Sequence, residues 1–184
     1  MNLNPDLIDQ IYDVPLGNSQ WVDVLTKLRD EFQALLALMY VLPANQPPTI
    51  FATEPAEDMI WGSYNQYYNQ LDPWKLALDK TPANVMVPGE RLLHYSEFKK
   101  TAFYNDYWRP MEFKFTAGGR ICTKNFECML GIPRHKSMPA YSEFEIQKLN
   151  YYVQHIKRGL TLEGITGQSL PTPFYQTALT SAYG

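Results

Sequence analysis

Residues 142–160 read "SEFEIQKLNYYVQHIKRGL", and no other segment limits the fold so tightly. Ser142 and Glu145 form an S-x-x-E capping box, in which each side chain satisfies a backbone N–H that the first helical turn leaves bare. Ile146, Leu149, Val153, Ile156 and Leu160 follow at alternating steps of three and four, which keeps them on one helical stripe. Tyr151 and Tyr152 flank it. A helix this one-sided must bury its stripe, either on a sheet of its own chain or on the same helix of a second copy. The spacing suits both, so these five residues are also the candidate seam of a homodimer.

The rest of the chain supplies what such a helix needs. Near the start, Leu7, Ile8, Ile11 and Tyr12 share one helical stripe. Ser19 is placed to cap a second helix carrying Trp21, Val22, Leu25, Leu28 and Phe32. Residues 35–42, within "ALLALMYVLP", have the length and apolar content of a buried strand, ended by the turn chemistry of "PANQPP". "TIFATE" continues as its hairpin partner. "ANVMVPGE" reads as a short strand, and "SEFKKTAFYNDYW" as helical turns from Ser96 to the stop at Pro110. "FKFTAGGRICT" and "ECMLGIPRH" make a second hairpin, with Gly118-Gly119 marking a bulge or a close approach of backbone to a ligand. That order gives an α+β fold, a central antiparallel sheet flanked by helices of the PAS/GAF-like kind. Residues 1–166 are expected to form one domain and 167–184, rich in Pro, Ser and Thr, a linker or tail.

Composition removes whole classes of function. The 184 residues are 45% hydrophobic and 19% charged, which is ordinary for a folded domain. Neither a signal peptide nor an 18-residue apolar run occurs, so a cytoplasmic protein without a membrane span is expected. Net charge is −3, yet residues 91–136 carry about +5 and the remainder about −8. That asymmetry marks either an anion-binding face or a solvated sheet surface. The overall acidity argues against a grip on a nucleic-acid backbone. Cys122 and Cys128 are too few for a disulfide scaffold, are not spaced for zinc, and read as buried thiols that face each other across the hairpin. His94, His135 and His155 lack metal-like spacing, Ser96-x-x-Lys99 stands without the companion motifs of serine acylases, and no phosphate loop is present. No catalytic residue, metal site or cofactor is expected.

The stretch "YNQYYNQLDPWKLAL", residues 64–78, holds the strongest hint of a binding site. A helix from about Glu57 aligns Ile60, Trp61, Tyr64, Tyr67 and Tyr68 on one face. Asp72 then caps a short helix with Pro73 at its first position, and Trp74, Ala77 and Leu78 share its inner side. Tyr and Trp each offer a ring for packing and a polar tip, which suits the wall of a mostly apolar pocket. The same residues serve equally as core and cap.

"FYNDYWRPMEF" (103–113), preceded by "YSEFKKTAF", resembles a signature of the N-terminal sensory regions of LuxR-type helix-turn-helix regulators. "LIDQIYDVPLGNSQWVDVLTKLRDEFQA" (7–34) and "YYNQLDPW" (67–74) are similar to other parts of those regions, in the same order. The resemblance runs from about residue 7 to 163. It implies a PAS/GAF-like ligand-sensing domain whose relatives carry DNA-binding helices further along the chain. After residue 166 there is no room for such helices here, so this chain alone is not expected to bind DNA specifically.

In acyl-homoserine-lactone-binding members a W-x3-Y…DP stretch and a later Trp hold the ligand. Carried over by motif, the candidates are Trp61, Tyr64, Tyr68 and Asp72, with Trp74 beside the Asp-Pro step. Trp61 and Tyr64 are three apart rather than four, and the later Trp is missing near "NVMVPGE". Two functions of different class follow from these readings. The first is a small-molecule sensor read out through a homodimer; the second is a ligand-free dimerisation or protein-interaction module.

Overall fold

The computed structural model describes residues 2–43, 49–53, 63–64 and 66–166. Helix α1 (Pro5–Asp13) is capped by Asn4, whose side chain accepts from Asp6 N at 3.1 Å, and Pro5 occupies the first turn. Helix α2 (Trp21–Glu31) starts one residue later than Ser19 suggests, because Gln20 is the capping position and its N–H is taken by Asp23 at 3.0 Å. Trp21, Val24, Leu25 and Leu28 turn inward, while Val22 is exposed.

Strands β1 (Leu38–Pro43), β2 (Thr49–Ala52), β3 (Val85–Pro88), β4 (Phe113–Cys122) and β5 (Phe126–His135) form one antiparallel sheet in the order β2-β1-β5-β4-β3. Both expected hairpins are present. The helix expected from Glu57 falls largely on residues 54–62, outside the described residues, as does Trp61. Beyond it come α3 (Pro73–Leu78), α4 (Gly89–Leu92), α5 (Tyr95–Phe98) and the long closing helix α6 (Glu143–Thr166).

One reading of continuous helical turns through 96–108 needs correction. Helix α5 stops after one turn, and Phe103–Trp108 forms a wider π turn. The cause is local competition for backbone groups. Thr101 Oγ1 donates to Phe98 O at 2.7 Å and accepts from Tyr104 N at 3.1 Å, and Asn105 Nδ2 donates to the Lys99 and Thr101 carbonyls. The reorganised turn sends Phe103, Tyr107 and Trp108 into the interior.

The sheet has two differently filled faces. On one, Met39, Val41, Ala117, Ile121, Cys128, Leu130 and Ile132 pack against α1, α2 and α6 in the larger core cluster. All five residues of the candidate dimer seam belong to this cluster: Ile146 is 6% exposed, Leu149, Val153 and Leu160 0%, and Ile156 1%. The stripe is thus spent inside its own chain, the first of the two outcomes that its spacing allowed. The capping box at Ser142 and Glu145 forms as expected. Across the sheet edge, the Asn150 side chain accepts from Met86 N at 2.7 Å and donates to Met86 O at 3.0 Å, so an α6 amide stands where another strand would pair with β3.

Arg134 in β5 is the most deeply buried charge of this side. Its guanidinium donates to Phe32 O through Nε and Nη2 at 3.0 and 2.6 Å, pairs with Glu145, and lies over the Tyr141 ring at 3.8 Å. Burial pushes the Glu145 carboxyl up, but hydrogen bonds from Arg134 and Ser142 outweigh it and hold the group below its ordinary value. The cysteines do not face each other. Ile121 opposes Cys128 and Cys122 opposes Glu127, and neighbouring residues of a strand point to opposite faces. Both thiols are free, Cys128 in the core and Cys122 on the other side of the sheet.

Candidate ligand cavity

The second face of the sheet is where packing is incomplete. Leu38, Ile50, Gly118, Met129 and Gly131 form the floor of a cavity of about 110 Å³, and Phe103, Tyr107 and Trp108 of the π turn cover it. The ring cluster is continuous: Tyr107 lies 5.2 Å from Phe103, and Trp108 5.6 Å from Phe98 and 5.0 Å from Phe113 between ring centres. Gly118 supplies part of the space. A Cβ there would meet only Leu130 O, at 3.6 Å, so the hollow owes its depth to an absent side chain. Its neighbour Gly119 has the opposite reason. A Cβ at that position would stand 2.4 Å from Val85 O, so Gly119 permits β3 to pair closely with β4. The strand irregularity lies at Phe113/Phe115 rather than at these glycines.

One wall of the cavity is polar. Asp72 caps α3 as its sequence indicates, Oδ1 accepting from Trp74 N at 2.9 Å. Its other oxygen accepts from the Tyr64 hydroxyl at 2.8 Å. The Asp72 side chain is half-buried and lines the cavity. Burial pushes its pKa up, against the pull of the Tyr64 and Trp74 hydrogen bonds and of nearby Lys75. Burial and the Asp72 charge together drive the Tyr64 hydroxyl far above its ordinary range. Tyr64 is therefore a fixed donor to Asp72, and what this wall presents is an oriented carboxyl group beside aromatic rings.

Of the five candidate residues, Tyr64, Asp72 and Trp74 line the cavity together. Tyr68 stands behind the lining, its ring 4.9 Å from Tyr107, and serves as packing. Trp61 lies outside the described residues. Sequence reasoning passed over Phe103, Tyr107 and Trp108, whose spacing in "FYNDYWRPMEF" was visible as a resemblance but not as a cavity roof. Tyr40 was likewise unassigned, whereas Gly118, read with Gly119 as a bulge or a close approach of backbone to a ligand, does line the cavity.

Each histidine has a local partner away from the cavity: His94 with Ser96, His135 with Glu112 and Ser137, His155 with Tyr12 at 2.9 Å. Among the described residues no cluster of His, Cys, Asp and Glu could hold a metal ion, and no helix is long and apolar enough to cross a membrane. The basic charges of residues 91–136 are dispersed rather than pooled: Arg91, Lys100, Arg120 and Lys136 pair with acids, and Arg134 is buried.

No protein-family model matches the chain, and no curated protein sequence does. Solved structures do resemble it. The LBD domain of VqsR from Pseudomonas aeruginosa superposes with a TM-score of 0.63 at 13% identity, covering 86% of this chain and 94% of that one. CepR2 of Burkholderia cenocepacia, an N-acylhomoserine lactone-dependent LuxR family transcription factor, gives 0.56 at 8% identity, over 85% and 92%. SdiA in complex with octanoyl-rac-glycerol gives 0.57 at 8% identity, over 94% of this chain but 64% of that chain. The chain thus spans under two thirds of SdiA. At such identities the likeness establishes the fold, α+β with a five-stranded antiparallel sheet and flanking helices, and leaves the chemistry to the chain's own residues.

Proposed function

We propose that this chain is the small-molecule-sensing module of a LuxR-type transcriptional regulator, working in the cytoplasm. The observation that carries the reading is the contrast between the two faces of one sheet. One carries the larger core cluster, while the other keeps a cavity of about 110 Å³ with the half-buried Asp72–Tyr64 pair on its wall. Space without polar groups is a packing defect; space with an oriented carboxylate is a place to hold a ligand. The ligand that fits is mostly apolar, with one head group whose donor meets the Asp72 carboxylate. An acyl chain with an amide or hydroxylated head has that chemistry, in keeping with the molecules named for CepR2 and SdiA. A ligand biases the module only through a difference in affinity between two packings. The rings of the π turn and α3 are the parts poised to repack.

The alternative, a ligand-free interaction module, draws its support from the volume. The cavity is smaller than the ~300–1,000 Å³ of typical small-molecule sites and near the ~150 Å³ of an engineered cavity that admits benzene. The α6 stripe lies in the core of its own chain. Two copies meeting along this helix would use its outward side, where Phe144, Tyr151 and Leu162 are exposed. Native mass spectrometry followed by extraction separates the readings. We expect one retained small molecule per chain, or a melting temperature that rises with octanoyl-homoserine lactone or octanoyl glycerol. A chain that is empty and indifferent to both refutes the sensor.

A further inference from the structure

Among the described residues, one acid and one base border the ligand cavity, Asp72 and Lys75. They are the cap and the third residue of α3, a spacing that puts both on one side of its first turn. Asp72 is largely used by its own chain. Its oxygens accept from Trp74 N at 2.9 Å, from the Tyr64 hydroxyl at 2.8 Å and from the backbone N–H of Lys75. A carboxylate offers about four acceptor positions, so one remains for a ligand. Lys75 is the reverse case. Its side chain is half-buried, and its charge stands near enough to Asp72 to draw that carboxyl's pKa down, yet among the described residues its ammonium makes neither a hydrogen bond nor an ion pair. Lys148, whose side chain is 17% exposed, is by contrast paired with Glu31. The polar wall therefore has two poles, an acceptor with one place left and a cation with all its donors open.

We propose that the ligand is an N-acyl amino acid, its chain under the rings of the π turn, its amide N–H donating to Asp72 and its carboxylate accepting from the Lys75 ammonium. The proposal rests on the sensor reading and narrows it from amphiphiles in general to anionic ones. An α-amino acid carries its N–H and its carboxylate on one carbon, so a single head group meets two side chains of one helical turn. The carboxylate supplies a charge-assisted bond, which is stronger than a bond between neutral groups. A neutral head such as a lactone serves Asp72 equally well, but it covers Lys75 without replacing the water it displaces, and that carries a penalty. Lys75 is thus the residue that tells an open-chain acid from its lactone.

The probes are N-octanoyl-homoserine and its lactone, which share tail and amide and differ in the carboxylate. Calorimetric titration of the wild type should show the acid binding tenfold or more tightly than the freshly dissolved lactone, about 1.4 kcal/mol. Lys75→Met should lose that preference through weaker binding of the acid, and Lys75→Arg should keep it. Lys80→Met, at an exposed lysine outside the cavity lining, should bind both as the wild type does. If Lys75→Met does not fold, added sodium chloride must weaken the acid on the wild type and spare the lactone. A lactone that binds as tightly as the acid, or an acid indifferent to Lys75→Met and to salt, overturns the proposal and leaves the sensor standing. A chain that binds neither probe refutes both.

Discussion

Asp72 does two jobs, and substitution can separate them. Asp72→Ala removes the cap of α3, worth about 1 kcal/mol, and the acceptor of the Tyr64 hydroxyl, a charge-assisted bond worth about 1.5–3 kcal/mol. The expected loss is about 2.5–4 kcal/mol, or roughly 5–16 °C in melting temperature for a chain of this length. Asp72→Asn keeps an oxygen for Trp74 N and an amide for Tyr64, and it discards a carboxylate that burial disfavours. The folded pKa of Asp72 lies above its ordinary value near 3.8. Its stabilising contribution is therefore complete below that value and is lost as pH rises through the folded pKa. At pH 7 the ionised form is a net burden on folding, so Asp72→Asn should melt at or above the wild type, an advantage that fades as pH falls towards 4. Ligand affinity should nevertheless drop tenfold or more, about 1.4 kcal/mol, because the amide carries no charge to meet the ligand's donor. Scanning calorimetry at pH 4 and 7, with titration of the apolar fluorophore N-phenyl-1-naphthylamine at pH 7, reads both. An Asn variant that melts as low as the Ala variant while binding normally would refute the argument and leave Asp72 as a cap alone.

Gly118→Ala places a methyl group in the cavity with only Leu130 O at 3.6 Å, so the melting temperature should hold while fluorophore binding weakens. Gly119→Ala drives a Cβ into Val85 O at 2.4 Å and should cost about 1–3 kcal/mol, measured by urea unfolding. Val153→Glu puts a charge at a position with 0% exposure and should abolish folding as seen by circular dichroism, not merely separate two copies. Arg134→Met takes the Arg134 donors from the Phe32 carbonyl and from Glu145, which Ser142 still holds, for a loss of about 1–3 kcal/mol. Because Glu145 titrates below about 4.5, its contribution is intact at neutral pH and is lost as pH falls through its lowered value. The penalty of Arg134→Met should therefore shrink in acid.

Features whose partners are close in sequence were the legible ones. The Asp72 cap reaches two residues on, the Ser142–Glu145 box three, and each hairpin joins adjacent strands; such contacts follow from pattern alone. Arg134 shows the opposite case. Its acceptor, Phe32 O, is 102 residues away, and an arginine in an alternating strand reads as solvent-facing until α2 and α6 are placed over it. The α6 stripe had the same ambiguity, since its periodicity records that a face is buried but not by what. Cys122 and Cys128 depended on register, which the turn at 123–125 sets and composition does not show. For the cavity, Asp72 and Tyr64 could be found from their motif. The roof could not, because it required a π turn created by Thr101 and Asn105 side chains.

The Asn150 amide that satisfies both outward groups of Met86 also bears on self-association. Exposed strand edges are templates for further chains, and a fibril needs two per subunit, one to join and one to be joined. With its β3 side stoppered, this sheet is at most monovalent. Among the described residues the sheet's other edge is β2, so two molecules meeting strand to strand there would form a closed pair that cannot polymerise. Asn150→Ala would restore the second valence, turning a residue of the closing helix into the difference between a chain terminator and a monomer.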